Sequence, residues 1–340
     1  MAEARVTSPS PTTPETPANP LETGNRRLPK RFRILTVLLF IATVFSALGT
    51  QHWILELFSH FRPYYAVVCL LCALALLLLQ AWRWMALALV LALWNGYPVA
   101  QLLLQANAPA AKTARQVTVF HFNVGRLHEQ PSRVVSYLQR HAKTIDIAVL
   151  LEATTDFDTA LDELKELYPH QIRHLEDSPF GIALVSKHPF AMDMISFIPT
   201  ERYPHIEATI KLPDRATPLA FYAIHAPPPI SADLAAARNA KLEYIAREAA
   251  TKSKATPIVV GDFNLTPWSP YFERFTTNSK LRNARTARHF DHTWPVTFDH
   301  AYAGIAIDHS FAHPSLPLIK RTVGPDLGSD HLPVTVTFGY

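Results

Sequence analysis

The chain has 340 residues, enough for one large domain with additional segments. Its formal charge of +4 is unevenly spread: residues 1–116 hold 10 Lys and Arg against 4 Asp and Glu, whereas residues 117–340 hold 22 against 24. This slight acidic excess argues against tight, nonspecific nucleic-acid binding by the C-terminal region. Both cysteines, Cys69 and Cys72, lie in an apolar run, so we interpret them as small apolar residues rather than as a redox motif.

Residues 1–29 are rich in Pro, Thr, Ser and Glu and poor in large apolar residues, which predicts a disordered tail. The first apolar run begins only at Ile34 and no small-residue cleavage site follows it, so a cleavable signal peptide is not predicted. A basic cluster from Arg26 to Arg33 directly precedes this run. Basic residues flank membrane spans on the cytoplasmic side, which predicts that the tail is cytoplasmic.

The region 30–106 contains three apolar runs: Ile34–Thr50, Pro63–Trp82 and Trp84–Leu104. About 20 apolar residues in a helix cross a bilayer core, and aromatic residues near the run ends suit its interfaces. The alternative is a buried helical hairpin in a soluble protein, which three successive runs make less attractive. We therefore predict three transmembrane helices, which in a bacterial cell would lie in the cytoplasmic (inner) membrane.

Three crossings would place the rest of the chain on the opposite, periplasmic or extracytoplasmic side. If the third run, which contains Pro98, is re-entrant, the rest of the chain stays in the cytoplasm instead. Residues 107–116 contain Ala and Pro and predict a short linker. The soluble domain is predicted to span residues 117–340.

Apolar runs and turn residues predict a mixed two-sheet α/β domain, because many strands alternate with few helices. The predicted strands are Val117–Val124, Asp146–Leu151, Gly181–Ser186, Ala191–Phe197, His205–Lys211, Leu219–His225, Ile258–Val260, Ile305–Phe311, Leu318–Val323 and Leu332–Phe338. The predicted helices are Ser132–Ala142, Asp156–Leu167 and Ser231–Ala250. Ser231 is a good N-cap for the last of these helices.

The stretch IVVGDFNLTP, residues 258–267, is the most informative part of the domain. Residues two apart in a strand point to the same side, so Asp262 and Asn264 should project together while Phe263 packs the other way. Gly261 permits a turn or a close approach. A simple Asx-turn after an ordinary strand would give the same pattern. The pair Asp330-His331, just before the last strand, is poor core material and suits a metal site or a proton relay.

Polar side chains occur repeatedly where a predicted strand begins or ends. Each of them alone could cap a turn or lie in an exposed loop, but together they predict one shared cleft. The set consists of Asn123, Glu152, His225, Asp262, Asn264, Asp308, Asp330 and His331.

These residues lie in the segments FNV, LLEA, GIALVSKHP, IHAPP, GDFNLTP, IDHSF and GSDHLPV. In this order the segments resemble the endonuclease/exonuclease/phosphatase superfamily, which includes deoxyribonuclease I, exonuclease III and neutral sphingomyelinases. The resemblance covers about residues 117–340, and the N-terminal runs are similar to its membrane-anchored bacterial branch. It implies a four-layer sandwich of two mixed sheets flanked by helices, and Mg²⁺-dependent hydrolysis of a phosphate ester, with Mn²⁺ as a substitute.

The resemblance also implies a role for each position. Glu152 matches the principal metal ligand, with Asn123 beside it and Asp330 as a further carboxylate of the metal site. Carboxylate and amide oxygens suit Mg²⁺, whereas a zinc site would use more His or Cys.

The remaining positions match catalytic groups. Asp262 matches the residue that orients and deprotonates the attacking water, and Asn264 the residue that holds the water or a phosphate oxygen. His331 matches the histidine near the scissile phosphate, and Asp308 the carboxylate that orients it. His225 matches a second phosphate-facing histidine, where repair nucleases carry Tyr.

The substrate stays open at this point: a phosphodiester or phosphomonoester, in a lipid headgroup or a nucleic acid. Arg285 and Arg288 lie in a basic stretch that could bind phosphates or could equally be a solvated surface. A tethered nuclease is one alternative function, and a catalytically silent binding domain is another. The expected partners are the substrate and the lipid bilayer, with no protein partner evident.

Overall fold

The computed structural model describes residues 30–104, 115–125, 131–198, 201–285, 291–296 and 304–340. The predicted tail 1–29, the predicted linker up to residue 114 and Arg288 lie outside the described residues.

The N-terminal region is helical. It comprises α1 (Lys30–Ala47), α2 (Trp53–Leu57), a 3₁₀ turn (Phe58–Phe61), α3 (Arg62–Leu78) and α4 (Trp82–Leu104). Among the described residues, two stretches, Trp53–Leu78 and Trp82–Leu104, are long and apolar enough to cross a membrane.

Three such helices are predicted from the sequence, and α1 is the one that falls short of the length needed. Three of its first four residues, Lys30, Arg31 and Arg33, are basic, and the helix ends at Ala47. At 1.5 Å per residue, the apolar part from Ile34 to Ala47 is only about 21 Å long, short for a bilayer core of about 30 Å.

The rest of the described chain contains twelve strands and four helices. The strands are β1 (Gln116–Asn123), β2 (Ile147–Leu151), β3 (His170–His174), β4 (Ile182–Ser186), β5 (Phe190–Ser196), β6 (His205–Ile210), β7 (Leu219–His225), β8 (Thr256–Asp262), β9 (Arg282–Asn283), β10 (Asp308–Ala312), β11 (Leu318–Val323) and β12 (Val334–Gly339). The helices are α5 (Pro131–Arg140), α6 (Phe157–Asp162), α7 (Ala232–Thr251) and α8 (Pro270–Ser279).

The strands form two six-stranded mixed sheets, in the orders β11-β12-β1-β2-β4-β3 and β5-β6-β7-β8-β10-β9. Apolar side chains on the facing sides of both sheets, such as Val119, Val149 and Val260, form the central core. A second core lies between the first sheet and α5 and α6, and a third between the second sheet and α7 and α8. The predicted four-layer sandwich is confirmed.

Most predicted elements are present, and the differences have local causes. Helix α6 ends at Asp162, where the chain continues through i→i+3 turns, although Phe157, Leu161 and Leu164 are buried as predicted. Strand β3 was not predicted, because HQIRH has no apolar run. Helix α8 was not predicted either; it begins at Pro270 after the N-cap Ser269, whose hydroxyl accepts from the Tyr271 N–H.

Candidate active site

Two pairs of parallel strands bring four of the predicted residues to one edge of the sandwich. Strands β1 and β2 are parallel with Asn123 opposite Leu151, which places Glu152 just beyond the strand end. Strands β7 and β8 are parallel with His225 opposite Asp262. Carboxyl ends of parallel strands lie at the same edge of a sheet, so these residues meet at the mouth between the sheets.

Antiparallel neighbours supply the remaining carboxylate and histidine. The first residue of β10, Asp308, is opposite Asp262 in the register of β8 and β10. Asp330 and His331 immediately precede β12, which is antiparallel to β1. An antiparallel strand begins where its neighbour ends, so all three residues enter the same mouth.

The local conformation of the GDFN segment differs from simple strand alternation. Phe263 is buried in the core beneath α7 and α8, as predicted. However, β8 ends at Asp262, and Asn264 has a positive φ of 49°. The Asn264 N–H donates to Asp262 Oδ1 at 2.8 Å, an Asx-turn that keeps the two side chains together.

Position 261 must be glycine because the backbone of the neighbouring strand β7 lies too close for a side chain. Its φ is 140°, and a Cβ at this position would lie 1.9 Å from the Ile224 carbonyl oxygen of β7. The predicted close approach is therefore that of backbone to backbone, directly before Asp262.

Asn123 links the two sheets across the mouth. Its amide nitrogen donates to Glu152 Oε1 at 3.0 Å and to Asp262 Oδ2 at 3.2 Å. His225 Nε2 lies 3.8 Å from Glu152 Oε1 and 3.6 Å from Asp262 Oδ2. Two carboxylates, an amide and an imidazole thus share one small space, and only Glu152 among the four is partly exposed.

His331 and Asp308 form a buried pair in which His331 Nδ1 lies 2.9 Å from Asp308 Oδ2. Burial alone would lower the pKa of His331, but the charge and hydrogen bond of Asp308 raise it to about 9. Burial alone would raise the pKa of Asp308, but the charge and hydrogen bond of His331 hold it below its usual value. The pair is therefore an aspartate and an imidazolium, a cation held where a phosphate could approach.

Two further groups of the mouth, Asp262 and His225, are shifted towards their neutral forms. Burial, assisted by the charge of Asp308, raises the pKa of Asp262 to about 8. Burial lowers the pKa of His225 to about 4, although the Glu152 carboxylate opposes this effect. Burial thus disfavours charge on both groups, although the His331 imidazolium, whose Nε2 lies 3.8 Å from Asp262 Oδ2, partly opposes the shift of Asp262.

Asp330 lies at the exposed rim of the mouth. Its Oδ2 accepts a hydrogen bond of 2.8 Å from the indole Nε1 of Trp294, whose ring lies 6.4 Å from that of His331. Trp294 therefore orients a carboxylate beside the His331–Asp308 pair.

Two sets of residues have the chemistry to hold a metal ion. The ligand atoms of Asp262, Asp308 and His331 all lie within 4.8 Å of one another. The predicted set of Glu152, Asn123 and Asp330 offers oxygen donors only, which suits a hard cation such as Mg²⁺. In the first set, Asp308 engages His331 Nδ1, so the nitrogen left to bind an ion is His331 Nε2, 3.8 Å from Asp262 Oδ2.

The structure does not bring Arg285 to this mouth. Arg285 is buried and lines a groove with Pro98 and Phe272, a groove that none of the eight predicted residues lines. Burial lowers the pKa of its guanidinium to about 10.

Three supporting residues were not predicted as part of the site. The Ser329 hydroxyl donates to the Asn123 carbonyl at 2.8 Å and accepts from the His331 N–H at 3.0 Å, which ties β1 to the histidine. Phe180 packs against His225 with ring centroids 5.5 Å apart. Thr293 also hydrogen-bonds the Asp308 carboxylate. Only Ser329 had a sequence signal, its place in the GSDH segment.

A profile of the Endonuclease/Exonuclease/phosphatase family matches residues 120–331, more than half of the chain. The chain belongs to this family. Its members are named for endonucleases, exonucleases and phosphatases, all of which cleave phosphate esters, so the family resemblance seen in the sequence is confirmed. A search of curated proteins finds no match.

Solved structures with the same fold support the family assignment. An endonuclease/exonuclease/phosphatase protein from Beutenbergia cavernae is 19% identical with a TM-score of 0.53, covering 66% of this chain and 72% of its own. D. rerio TDP2 with a single-strand DNA product is 16% identical with a TM-score of 0.52, covering 66% and 99%. A Staphylococcus aureus beta toxin variant with bound magnesium is 16% identical with a TM-score of 0.52, covering 66% and 100%. At these identities the likeness concerns the fold alone.

Proposed function

We propose that this protein is a divalent-metal-dependent phosphoesterase that hydrolyses a phosphodiester by in-line attack of water. The observation that supports it best is the convergence of Asp262, Glu152 and Asn123 with the His331–Asp308 pair at the mouth of the sandwich. The fold and the family are those of phosphate-ester hydrolases. Magnesium bound in the beta toxin structure makes Mg²⁺ the first cation to test, with Mn²⁺ as a substitute.

The donors present fit a hard divalent cation. We assign Glu152, Asn123 and Asp330 as its ligands, because they supply only oxygen and two of them can be reached by solvent. When bound, the ion would withdraw charge from a phosphate oxygen and lower the pKa of nearby water.

The chain's own residues have distinct tasks in this reaction. Asp262 accepts the proton of the attacking water, and Asn264 orients that water through a side chain fixed by the Ala226 carbonyl at 2.9 Å. His331, kept cationic by Asp308, donates to the phosphate where negative charge develops. His225 is assigned a second contact to the phosphate. Direct attack by water inverts the configuration at phosphorus, so retention would exclude this mechanism.

The test is hydrolysis of bis(4-nitrophenyl) phosphate by the purified full chain, with and without Mg²⁺. We expect metal-dependent turnover that His331→Ala lowers by roughly 10²-fold or more. Asp146→Asn is the matched control, since Asp146 precedes β2 at the opposite edge of the sheet, where it pairs with Lys187. Absence of turnover with every divalent ion would instead support a silent binding domain.

A nuclease is the second candidate, favoured by the single-strand DNA product in the TDP2 structure. Phe180 and Tyr203, with ring centroids 4.2 Å apart, form an aromatic wall beside His225 on which a base could stack. A lipid phosphodiester is the competing substrate, suggested by the two apolar helices. Plasmid DNA and choline-headgroup lipid, assayed in parallel at equal enzyme concentration, separate the two.

We also propose that the protein is anchored in the bacterial inner membrane by three helices, with the catalytic domain outside the cytoplasm. The two qualifying stretches support membrane contact. Helix α1 has exposed apolar side chains such as Ile34 and Leu38, while Thr43, on its buried side, accepts a 2.8 Å hydrogen bond from Asn95 of α4. Because α1 packs against α4 in this way, we propose that α1 is the third membrane span and that it is a short one.

Paired reporter fusions at Tyr340 test this topology. A periplasmic phosphatase reporter should be active and a cytoplasmic fluorescent reporter dark. The reverse pattern would place the domain in the cytoplasm and reduce the spans to two.

A further inference from the structure

An acidic residue within the apolar stretch Trp53–Leu78 lies buried against the C-terminal domain. Glu56, in α2, has no exposed side-chain surface, and neither has Arg238 of α7, with which its carboxylate forms an ion pair. Glu56 Oε1 also accepts a hydrogen bond of 2.6 Å from the Ser269 hydroxyl. An acid buried in this way is held by a partner, since a buried charge without one is strongly disfavoured.

Arg238 carries this contact onward to the active site. Its Nη1 donates to the main-chain carbonyl of Asn264 at 3.2 Å, while its Nη2 binds Glu56. Asn264 needs such support because its positive φ is uncommon outside glycine. The guanidinium therefore joins the N-terminal helices to the residue that we assign to orient the attacking water.

Further contacts hold the same segment from both ends. His60 Nδ1 lies 3.0 Å from the Thr266 hydroxyl, and Ser269, bonded to Glu56, caps α8. The segment 264–269, here named the nucleophile loop, thus contacts the N-terminal region at Asn264 through Arg238, at Thr266 and at Ser269. Separately, the Tyr64 hydroxyl donates to the Gly304 carbonyl at 2.6 Å, near the segment that carries Trp294.

We propose that Glu56 is a positioning residue of the active site: through Arg238 and Ser269 it holds the nucleophile loop in its working conformation. This inference rests on the proposed function. It makes the segment between α1 and α3 part of the catalytic unit rather than a simple connection, so the position of the N-terminal helices is coupled to the geometry of Asn264.

The test compares a neutralised pair with the wild type in the full chain. The double variant Glu56→Gln, Arg238→Met removes both charges and the donor to Asn264, without leaving one buried charge unpaired. The control, Asp146→Asn with Lys187→Met, removes a partly buried ion pair at the far edge of the sheet. Three quantities are measured: the unfolding temperature, hydrogen exchange of a peptide spanning residues 262–269, and kcat and KM on bis(4-nitrophenyl) phosphate.

We expect the double variant to fold, with exchange in the nucleophile loop at least about tenfold faster while β1 and β2 stay protected. We expect kcat about tenfold lower or more with KM within about twofold, because a small misplacement of a positioning group affects mainly the transition state. The control should change neither quantity. A purely structural pair would lower only the unfolding temperature.

Wild-type exchange and wild-type kcat in the double variant would overturn the inference. If that variant does not fold, Ser269→Ala, which removes the hydroxyl that donates to Glu56 Oε1, is measured in its place with the same expected and refuting results. If the wild type hydrolyses nothing, the proposed function fails, and the exchange data alone still decide whether Glu56 holds the loop.

Discussion

Asp308→Asn tests the charge of the buried His331 without removing the hydrogen bond that orients it. Asparagine keeps an oxygen at the position of Asp308 Oδ2, 2.9 Å from His331 Nδ1, so the tautomer can be preserved. What is lost is the negative charge that offsets burial and raises the pKa of His331 to about 9. Without it, burial should lower that pKa towards its ordinary value of about 6.5, while the charges of Asp262 and Asp330 still oppose the fall.

The size of the effect follows from proton occupancy. At pH 8 a histidine with a pKa of about 9 is about nine-tenths protonated, whereas one with a pKa of about 6.5 is about 3% protonated. If the cationic form of His331 is the active one, kcat should fall about 30-fold at pH 8 but less than about twofold at pH 6. The loss should therefore grow with pH.

The assay is the pH profile of kcat for bis(4-nitrophenyl) phosphate at saturating Mg²⁺, from pH 5.5 to 9.5, for wild type and Asp308→Asn. The histidine side-chain NMR signals over the same range give the pKa of His331 independently. A loss of equal size at every pH would refute the reasoning, because it would show that Asp308 acts through geometry and not through the charge of His331.

Three further predictions address the base, the metal and the core. Asp262→Ala should lower kcat by roughly 10²-fold or more while the circular dichroism spectrum stays unchanged; near-normal turnover would reject Asp262 as the base. EDTA should abolish activity, Mg²⁺ or Mn²⁺ should restore it, and Glu152→Gln should raise the Mg²⁺ concentration for half-maximal rate by about tenfold or more; activity insensitive to chelation would contradict the metal site. Burial lowers the pKa of His309 to about 3. Below about pH 6.5 the unfolded chain therefore binds a proton that the folded chain does not, so the free energy of unfolding should decrease as the pH is lowered. In urea titrations, His309→Leu should reduce this slope by up to about 1.4 kcal/mol per pH unit between pH 6 and pH 4, and an unchanged slope would show that His309 is not the source.

The sequence could predict where the eight polar residues lie because each interrupts, precedes or follows an apolar run where a strand begins or ends; their chemical roles stay predictions. It could not predict the contacts that hold them. Trp294 reaches Asp330 through an indole hydrogen bond from a short segment with no periodic pattern. Strand β3 was not predicted for a similar reason, because the sequence HQIRH of this edge strand contains only one apolar residue.

Glu56 shows a different limit of sequence analysis. It lies between the first two apolar runs of the sequence, Ile34–Thr50 and Pro63–Trp82, where a single acid indicates no more than a polar connection. Its partner Arg238 lies 182 positions later and has no unusual sequence context. Only the fold brings the two charges together, so the coupling between the N-terminal helices and the catalytic domain had no local signature.

The site is divided between the two sheets, and this division determines what controls its geometry. Asn123 and Glu152 follow strands of the first sheet, whereas His225, Asp262 and Asp308 belong to the second. Beneath the mouth, the sheets are joined by the central apolar core and by a buried hydrogen bond of 2.8 Å between His121 and Ser310. Since protein cores are close-packed, a volume change in this core would alter the spacing of the sheets and hence the Asn123–Asp262 distance of 3.2 Å. The packing of the sandwich therefore sets the separation between the proposed metal ligands and the proposed base.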